Sequence, residues 1–372
     1  MIPLAQPVLD EEMQRAALDA LQNDRFVLGE NVSKFEEEFA RYCGTELAVA
    51  TASGTAALTL TLIALGVQSG SVVTTPMSFV ATANSITHAG GTVRLADVNT
   101  QSYCLDPIKT ETAIDHKTRA ILPVHLYGQP AAMDELNEIA NRKSVTILED
   151  ACQAHGAVYR GKRAGSLGTA ACFSFYPSKN MTVGGDGGMV TTNDVAIAER
   201  VRSLRDSGRV KGEKYLHGMI GFTERLNSVQ AAIGRVQLRR LNEWNERRIE
   251  VARTYEKNLH DTGDSILPPT RTEQITPVYH LYVIRSAKRN QLREWLSVRG
   301  VETGIHYPLP IHLQPSFDQT LHCQRGTYPI SEQLCEEVLS IPIYPTLTSQ
   351  DQTTVIDAIQ KFYSTEGMNI GK

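Results

Sequence analysis

Apolar positions recur at helical spacing at the start of the chain: Met13, Ala17, Leu18 and Leu21 predict an amphipathic helix over residues 10–22. After a turn at Phe26–Asn31, a second helix is expected, capped by Ser33, with Phe35, Phe39 and Tyr42 on one face. From residue 47 the period shifts between two and 3.6. Strands are predicted at 47–51, Val72–Thr75, Thr92–Asp97, Ala120–His125, Val145–Leu148, 170–176 and 188–192. Helices are predicted between them at Ala56–Leu65, 78–89, from Asp106, at 132–142 and then at 194–206. Such alternation over about 150 residues predicts an α/β fold, a mainly parallel sheet flanked by helices.

A long helix is expected from Ser228 to Leu259, apolar early (Ala231, Ala232, Ile233, Val236, Leu238, Leu241, Trp244) and charged later. It reads as an arm between a large domain, residues 1–240, and a smaller α+β domain, residues 241–372. The remainder predicts a strand at Val278–Ile284, a helix at Gln291–Val298, an irregular proline-rich stretch at 301–315, a helix at 331–339 and a last helix from Gln350.

Composition narrows the class. The chain has 372 residues, 41% hydrophobic and 21% charged, with a net charge of −4. Its sequence pI is about 6.2. This balance argues against a nucleic-acid partner. No apolar run has the length of a membrane span, and the N-terminus lacks a basic region followed by an apolar one. The six cysteines are scattered without a C-x-x-C pair, which suits reduced thiols in a cytoplasmic protein. His125, His155 and His306 lack metal-ligand spacing, so no metal is expected.

Three polar features fall at the carboxyl ends of predicted strands, where open parallel sheets bind ligands. Ser53-Gly54-Thr55 opens a helix; it is either a plain cap or an anion site, with Gly54 admitting a close approach and Ser174 adding a hydroxyl. Asp150 ends the apolar run Val145-Thr-Ile-Leu and needs a partner, a backbone N–H or an Arg in one reading and a pyridinium N–H in the other. Lys179 is a solvated lysine by default, yet it follows an apolar strand and precedes the glycine-rich Gly184–Val190. A lysine desolvated there becomes nucleophilic. A Lys and an Asp about thirty residues apart, both at strand ends, are what a pyridoxal phosphate (PLP) enzyme uses: a Schiff base and a partner for the ring nitrogen. In that reading Gln153 reaches the cofactor's 3′-oxygen, and Phe79, otherwise a core residue one turn into its helix, stacks on the ring.

Further stretches carry a family likeness. They include Phe35–Ala40, Ala52-Ser-Gly-Thr-Ala-Ala57, Pro76–Thr82, Val124-His-Leu-Tyr-Gly128 and Glu149-Asp-Ala-Cys-Gln-Ala-His-Gly156. Downstream come Phe173–Lys179, Gly185–Gly188, Arg225–Ala232 and Tyr307-Pro-Leu-Pro-Ile-His312. Together they resemble the DegT-type nucleotide-sugar aminotransferases, fold-type I PLP enzymes, over nearly the whole chain. The resemblance implies Lys179 and Asp150 as the catalytic pair, Gln153 on the 3′-oxygen, Phe79 on the ring, and Gly54, Thr55 and Ser174 on the phosphate. It also implies Asn227 on the phosphate of a neighbouring subunit, hence a homodimer with shared sites, and the Tyr307–His312 loop, with both named residues, facing the sugar nucleotide.

Departures are few: Cys152 where alanine is common, Ser71 for a usual aspartate, and Gly221-Phe-Thr-Glu before Arg225. Some relatives carry histidine in place of the lysine and are dehydratases; Lys179 favours transamination. The expected reaction passes an amino group from an amino acid, glutamate by analogy, to a nucleotide-linked keto sugar, a 4-keto-6-deoxyhexose ahead of a 3-keto sugar. Competing readings are a regulatory protein that keeps the fold without the chemistry, and a PLP lyase or desulfurase using Cys323. Arg205, Arg209, Lys211 and Lys214 form either a diphosphate contact or a solvated loop.

Overall fold

A computed structural model describes residues 1–260, 262 and 273–369. Its main sheet has seven strands: β1 (Leu47–Thr51), β2 (Ser71–Thr74), β3 (Thr92–Leu95), β4 (Thr118–Ile121), β5 (Thr146–Asp150) and two more. A small pair, β6 (Val158–Tyr159) and β7 (Lys162–Arg163), precedes those two, β8 (Ala170–Ser174) and β9 (Gly188–Thr192). The sheet order is β1-β9-β8-β5-β4-β2-β3. The pairs from β8 through β5, β4 and β2 to β3 are parallel, whereas β9 runs antiparallel to both β8 and β1. The mainly parallel α/β class expected from the alternation is the one observed. The antiparallel β9 lies between β1 and β8, a placement that alternation along the chain does not specify.

Why these segments form these elements is clearest beside the sheet edge. The helix Gly54–Ala64 buries every residue from Ala56 to Leu62, so it is apolar on all faces. It is wedged between the sheet and the helices Ala81–His88 and Val195–Arg205. The first helix runs Glu11–Asn23 with Asp10 as its cap. Met13 and Ala20 face inward, while Leu18 and Leu21, expected on the core face, are exposed. The second helix, Glu30–Cys43, starts at Gly29 rather than Ser33. Asp24 does the capping from six residues back: its carboxylate accepts from the backbone N–H groups of Arg25, Glu30 and Asn31 at 2.7–2.9 Å.

The long helix Ser228–Leu259 has Asn227 as its cap. Its early residues Ala231, Leu238 and Leu241 pack in one cluster with Phe35, Phe39 and Phe173. Its late residues Val251, Tyr255 and Leu259 pack in another with Ile284 and Ile341. That second cluster surrounds a two-stranded sheet of β11 (Tyr282–Arg285) and β12 (Val338–Ile341); the short strand β10 (Ile275–Thr276) instead joins β6. Residues 278–281, expected to be strand, form a connection that docks on Gly128, where the Val278 N–H donates to the Gly128 carbonyl at 3.0 Å. Among the described residues no helix is long and apolar enough to cross a membrane.

Candidate active site

Strand register builds the site. Thr51 pairs with Gly188 and Gly188 with Ser174, so the ends of β1 and β8 and the start of β9 share one row. Asp150 pairs with Cys172 in the adjoining strand. The row carries Ser53-Gly54-Thr55 up against Ser174. A Cβ added at Gly54 would stand 2.7 Å from the Ser174 Cβ and 3.0 Å from the Cys152 Sγ, so only glycine fits there. Ser53 caps the helix through the Ala56 N–H at 3.0 Å. The N–H groups of Gly54 and Thr55, the first two of the helix, have no acceptor among the described residues.

Asp150 is buried at 4% exposure. Its Oδ2 accepts from the Thr82 hydroxyl at 2.7 Å, and its Oδ1 from the Cys152 N–H at 3.2 Å. Thr82 is in turn 2.7 Å from the Ser78 hydroxyl. The neighbouring carboxylate, Glu149, faces away from these groups. It is fully buried and receives the N–H groups of Gly165, Leu167 and Gly168 and the Nε2 of His125. Because the His125 Nδ1 accepts from the Ala131 N–H, the Nε2 carries the proton given to Glu149. Two adjacent acidic residues thus have separate tasks: one knits backbone together, and one stands at the sheet edge.

Gln153 holds a second layer. Its Oε1 accepts from the Tyr127 N–H at 2.7 Å, and its Nε2 donates to the Tyr307 hydroxyl at 3.1 Å. The Tyr307 ring lies 5.9 Å from Phe79. Phe79 precedes its helix, which starts at Ala81, and is 55% exposed, so it is neither a helical nor a core residue. Lys179 is partly buried, and its Nζ lies 3.3 Å from the His280 Nε2. Burial pushes its ammonium below the usual lysine range, against the pull of nearby Cys152 and Asp150.

The remaining expected residues fall differently. His312 is 1% exposed; its Nε2 is 3.0 Å from Glu332, and its ring packs edge-on against Tyr328, so its side chain has no face left for a sugar. Asn227 is exposed and caps its helix: its Oδ1 accepts from the Gln230 N–H at 2.9 Å, and its Nδ2 donates to the Gln230 Oε1 at 2.6 Å. Arg205 is buried against Glu36 and the Ala50 carbonyl, Arg209 pairs with Asp206, and Lys211 pairs with Glu199. Arg205 is therefore not available to a diphosphate. Thr82, Tyr127 and His280 went unnoticed in the sequence. Thr82 and Tyr127 both lie in stretches that carry the family likeness, Pro76–Thr82 and Val124–Gly128. His280 had no local signal, because it reaches Lys179 across 101 residues of chain.

These groups fit pyridoxal phosphate. The Gly54 cradle and its free N–H groups suit a phosphate, Asp150 suits a protonated ring nitrogen, and Lys179 suits the carbonyl carbon. The fold and this arrangement define a PLP-dependent aminotransferase. More narrowly, the chain matches the DegT/DnrJ/EryC1/StrS aminotransferase family over residues 7–360 and belongs to that family. It is 41% identical to the dTDP-3-amino-3,4,6-trideoxy-alpha-D-glucose transaminase of Streptomyces venezuelae, over 95% of this chain and 93% of the relative. It is 40% identical, over 95% of each chain, to a protein of Geobacillus stearothermophilus named a pleiotropic regulatory protein. S. venezuelae DesV, solved in complex with a ketimine intermediate, superposes with a TM-score of 0.92 at 40% identity, covering 95% of this chain and 94% of that one.

Proposed function

We propose that the chain moves an amino group from an amino acid, glutamate, onto a keto sugar carried by a nucleotide. The single observation that supports this most is the convergence of Lys179, Asp150 and the Gly54 cradle on one sheet edge in a member of a sugar-aminotransferase family. A regulatory protein without chemistry would have no use for a partly buried lysine, its ammonium destabilised, facing a buried carboxylate.

When bound, pyridoxal phosphate supplies an electron sink for the bond that breaks at the amino-bearing carbon. The chain's residues do the rest. The first N–H groups of the helix at Gly54 and Thr55, with the Ser174 hydroxyl, take the phosphate. Asp150, fixed by Thr82 and the Cys152 N–H, keeps a proton on the ring nitrogen. Gln153 and Phe79 would hold the ring, Gln153 itself fixed by the Tyr127 N–H. Lys179, its proton loosened by burial, would take a proton from the amino-bearing carbon of the substrate and deliver it to the cofactor carbon that keeps the nitrogen. Tyr307 lines the sugar side, linked to Gln153.

Of the two ring positions, our reading takes C3 over the C4 expected from the commonness of that class, on the name of one relative. The S. venezuelae relative is named for a 3-amino sugar on dTDP. A direct test supplies the protein in its amino form with dTDP-linked 3-keto and 4-keto sugars and identifies the amino product by NMR. The expected product carries nitrogen at C3. A C4 product would overturn the position, and no amino sugar from these or from their UDP- and GDP-linked counterparts would overturn the function. Lys179→Ala serves as the control without turnover.

A further inference from the structure

We propose that His280 is a positioning residue for Lys179. Its Nε2 accepts a hydrogen bond from the lysine amine and holds Nζ at the sheet edge whenever that amine is not bonded to the cofactor. The proposal rests on the reading of Lys179 as the cofactor's tether and proton carrier, and gives that lysine a resting place.

Geometry comes first. The two nitrogens are 3.3 Å apart, and His280 is 6% exposed. A charged lysine has three donors and no acceptor, and a neutral one still donates while keeping its lone pair free. In either form Nε2 can serve as the acceptor, which leaves the ring proton on Nδ1. That Nδ1 has no partner among the described residues, so the contact with Lys179 is the hydrogen bond that orients the ring there.

The backbone also points the ring this way. Tyr279, just before it, has φ +46°, and Tyr127, which faces the same docking segment, has φ +60°. Two non-glycine residues in the left-handed region are held there by surrounding contacts. The Tyr279 carbonyl accepts from Arg248 at 3.1 Å. The backbone N–H of His280 sits against Gly128, where a Cβ would come within 2.9 Å. The Gly128 position is equally tight to the Gln153 carbonyl, at 3.0 Å. The ring layer and the lysine partner are thus pinned to the same two residues, Tyr127 and Gly128.

Electrostatics keep the ring an acceptor. Burial first, and then Lys179, Arg248, His306 and His155, hold the His280 imidazolium well below the ordinary histidine range. Burial and the charge of Lys179 itself disfavour a second positive charge there. Cys152 and Asp150 face Nζ from the strand end and pull the other way. The lysine can therefore change its protonation state while the histidine stays neutral.

The first test uses the apoprotein labelled with 15N-histidine. From about pH 6 to about pH 9 the His280 ring should stay neutral with its proton on Nδ1, and the Nε2 resonance should move in Lys179→Met. A proton on Nε2, or a resonance indifferent to Lys179→Met, would overturn the proposal. This measurement decides the contact even in a protein that takes up no PLP, an outcome that would sink the functional reading alone.

The second test compares His280→Phe with His280→Gln, whose amide oxygen can stand near the Nε2 position. Added PLP should become bonded to Lys179 about tenfold more slowly in His280→Phe, the worth of one hydrogen bond to a charged group, and within about threefold of wild type in His280→Gln. Turnover should fall through kcat, with KM for the sugar unchanged. Equal rates in wild type and His280→Phe, or no recovery in a folded His280→Gln, would count against the role.

Discussion

Lys179 sits within a ring of groups that resist taking protons, and this carries a cost in acid. Burial, followed by the charge of Lys179, pushes the His155 imidazolium down to about 3 and that of His306 down to about 4. Both rings would titrate near 6.5 in the unfolded chain. Below that value the unfolded chain binds more protons than the folded one, so stability falls as the pH drops. The fall ends only once the pH has passed through the folded values. Each ring contributes a slope of about 1.4 kcal/mol per pH unit within its window. Urea unfolding of the apoprotein at about pH 7 and about pH 5 should show the loss. His155→Phe should remove one ring's share, since the site already borders the Phe173 and Phe175 rings at 5.4 and 5.8 Å. An unchanged slope in that variant would refute the assignment. At this scale the sequence exposes Asp150, Gln153 and Lys179, because each follows an apolar run that ends at a ligand edge. It hides Thr82 and His280, whose importance comes from partners 68 and 101 residues away.

At the level of elements, periodicity locates helices better than it locates their starts. Ser33 looks like a cap because a hydroxyl precedes Phe35 by two residues, yet it stands exposed inside the helix Glu30–Cys43. Asp24 caps from a distance, and its carboxyl is held down at about 2: burial opposes the charge, but the N–H groups of Asn31, Glu30 and Arg25 and the Asn31 amide outweigh it. A cap that reaches back over a turn leaves no S/T-x-x-E spacing to find. Asp24→Ala should cost about 1–2 kcal/mol, while Ser33→Ala should be neutral or stabilise by about 0.5 kcal/mol. Thermal unfolding of the two variants side by side checks the pair, and the reverse order would return the cap to Ser33. Phe79 falls outside its helix for a related reason: the spacing predicts a helix over 78–89, but the chain turns through residues 76–80 first and the helix starts at Ala81. That turn carries the ring outward, toward Tyr307.

For the molecule as a whole, alternation of strands and helices was enough to read the α/β class, since only a sheet covered by helices buries so many apolar strands. A second copy is a different matter, because one chain's pattern does not say what lies against its surface. The structure leaves Phe26 64% exposed and Ile220 95% exposed, with Val27, Tyr215, Leu216 and Phe222 also exposed. Val27 bridges Asn227, so the exposed Phe26-Val27 pair borders the residue assigned by resemblance to a neighbouring subunit's phosphate. The homodimer that the resemblance implies would cover these side chains. Light scattering should give twice the chain mass for wild type, and Phe26→Asp with Ile220→Asp should give single chains without turnover. Asn227 needs its own discrimination, since capping already uses its oxygen and one of its two amide hydrogens. Asn227→Ser keeps a capping oxygen and removes the amide donor. If the remaining hydrogen reaches a partner's phosphate, PLP affinity in Asn227→Ser should fall about tenfold with the melting temperature nearly unchanged. A variant that binds PLP as wild type does, in an intact dimer, would leave Asn227 as a helix cap alone.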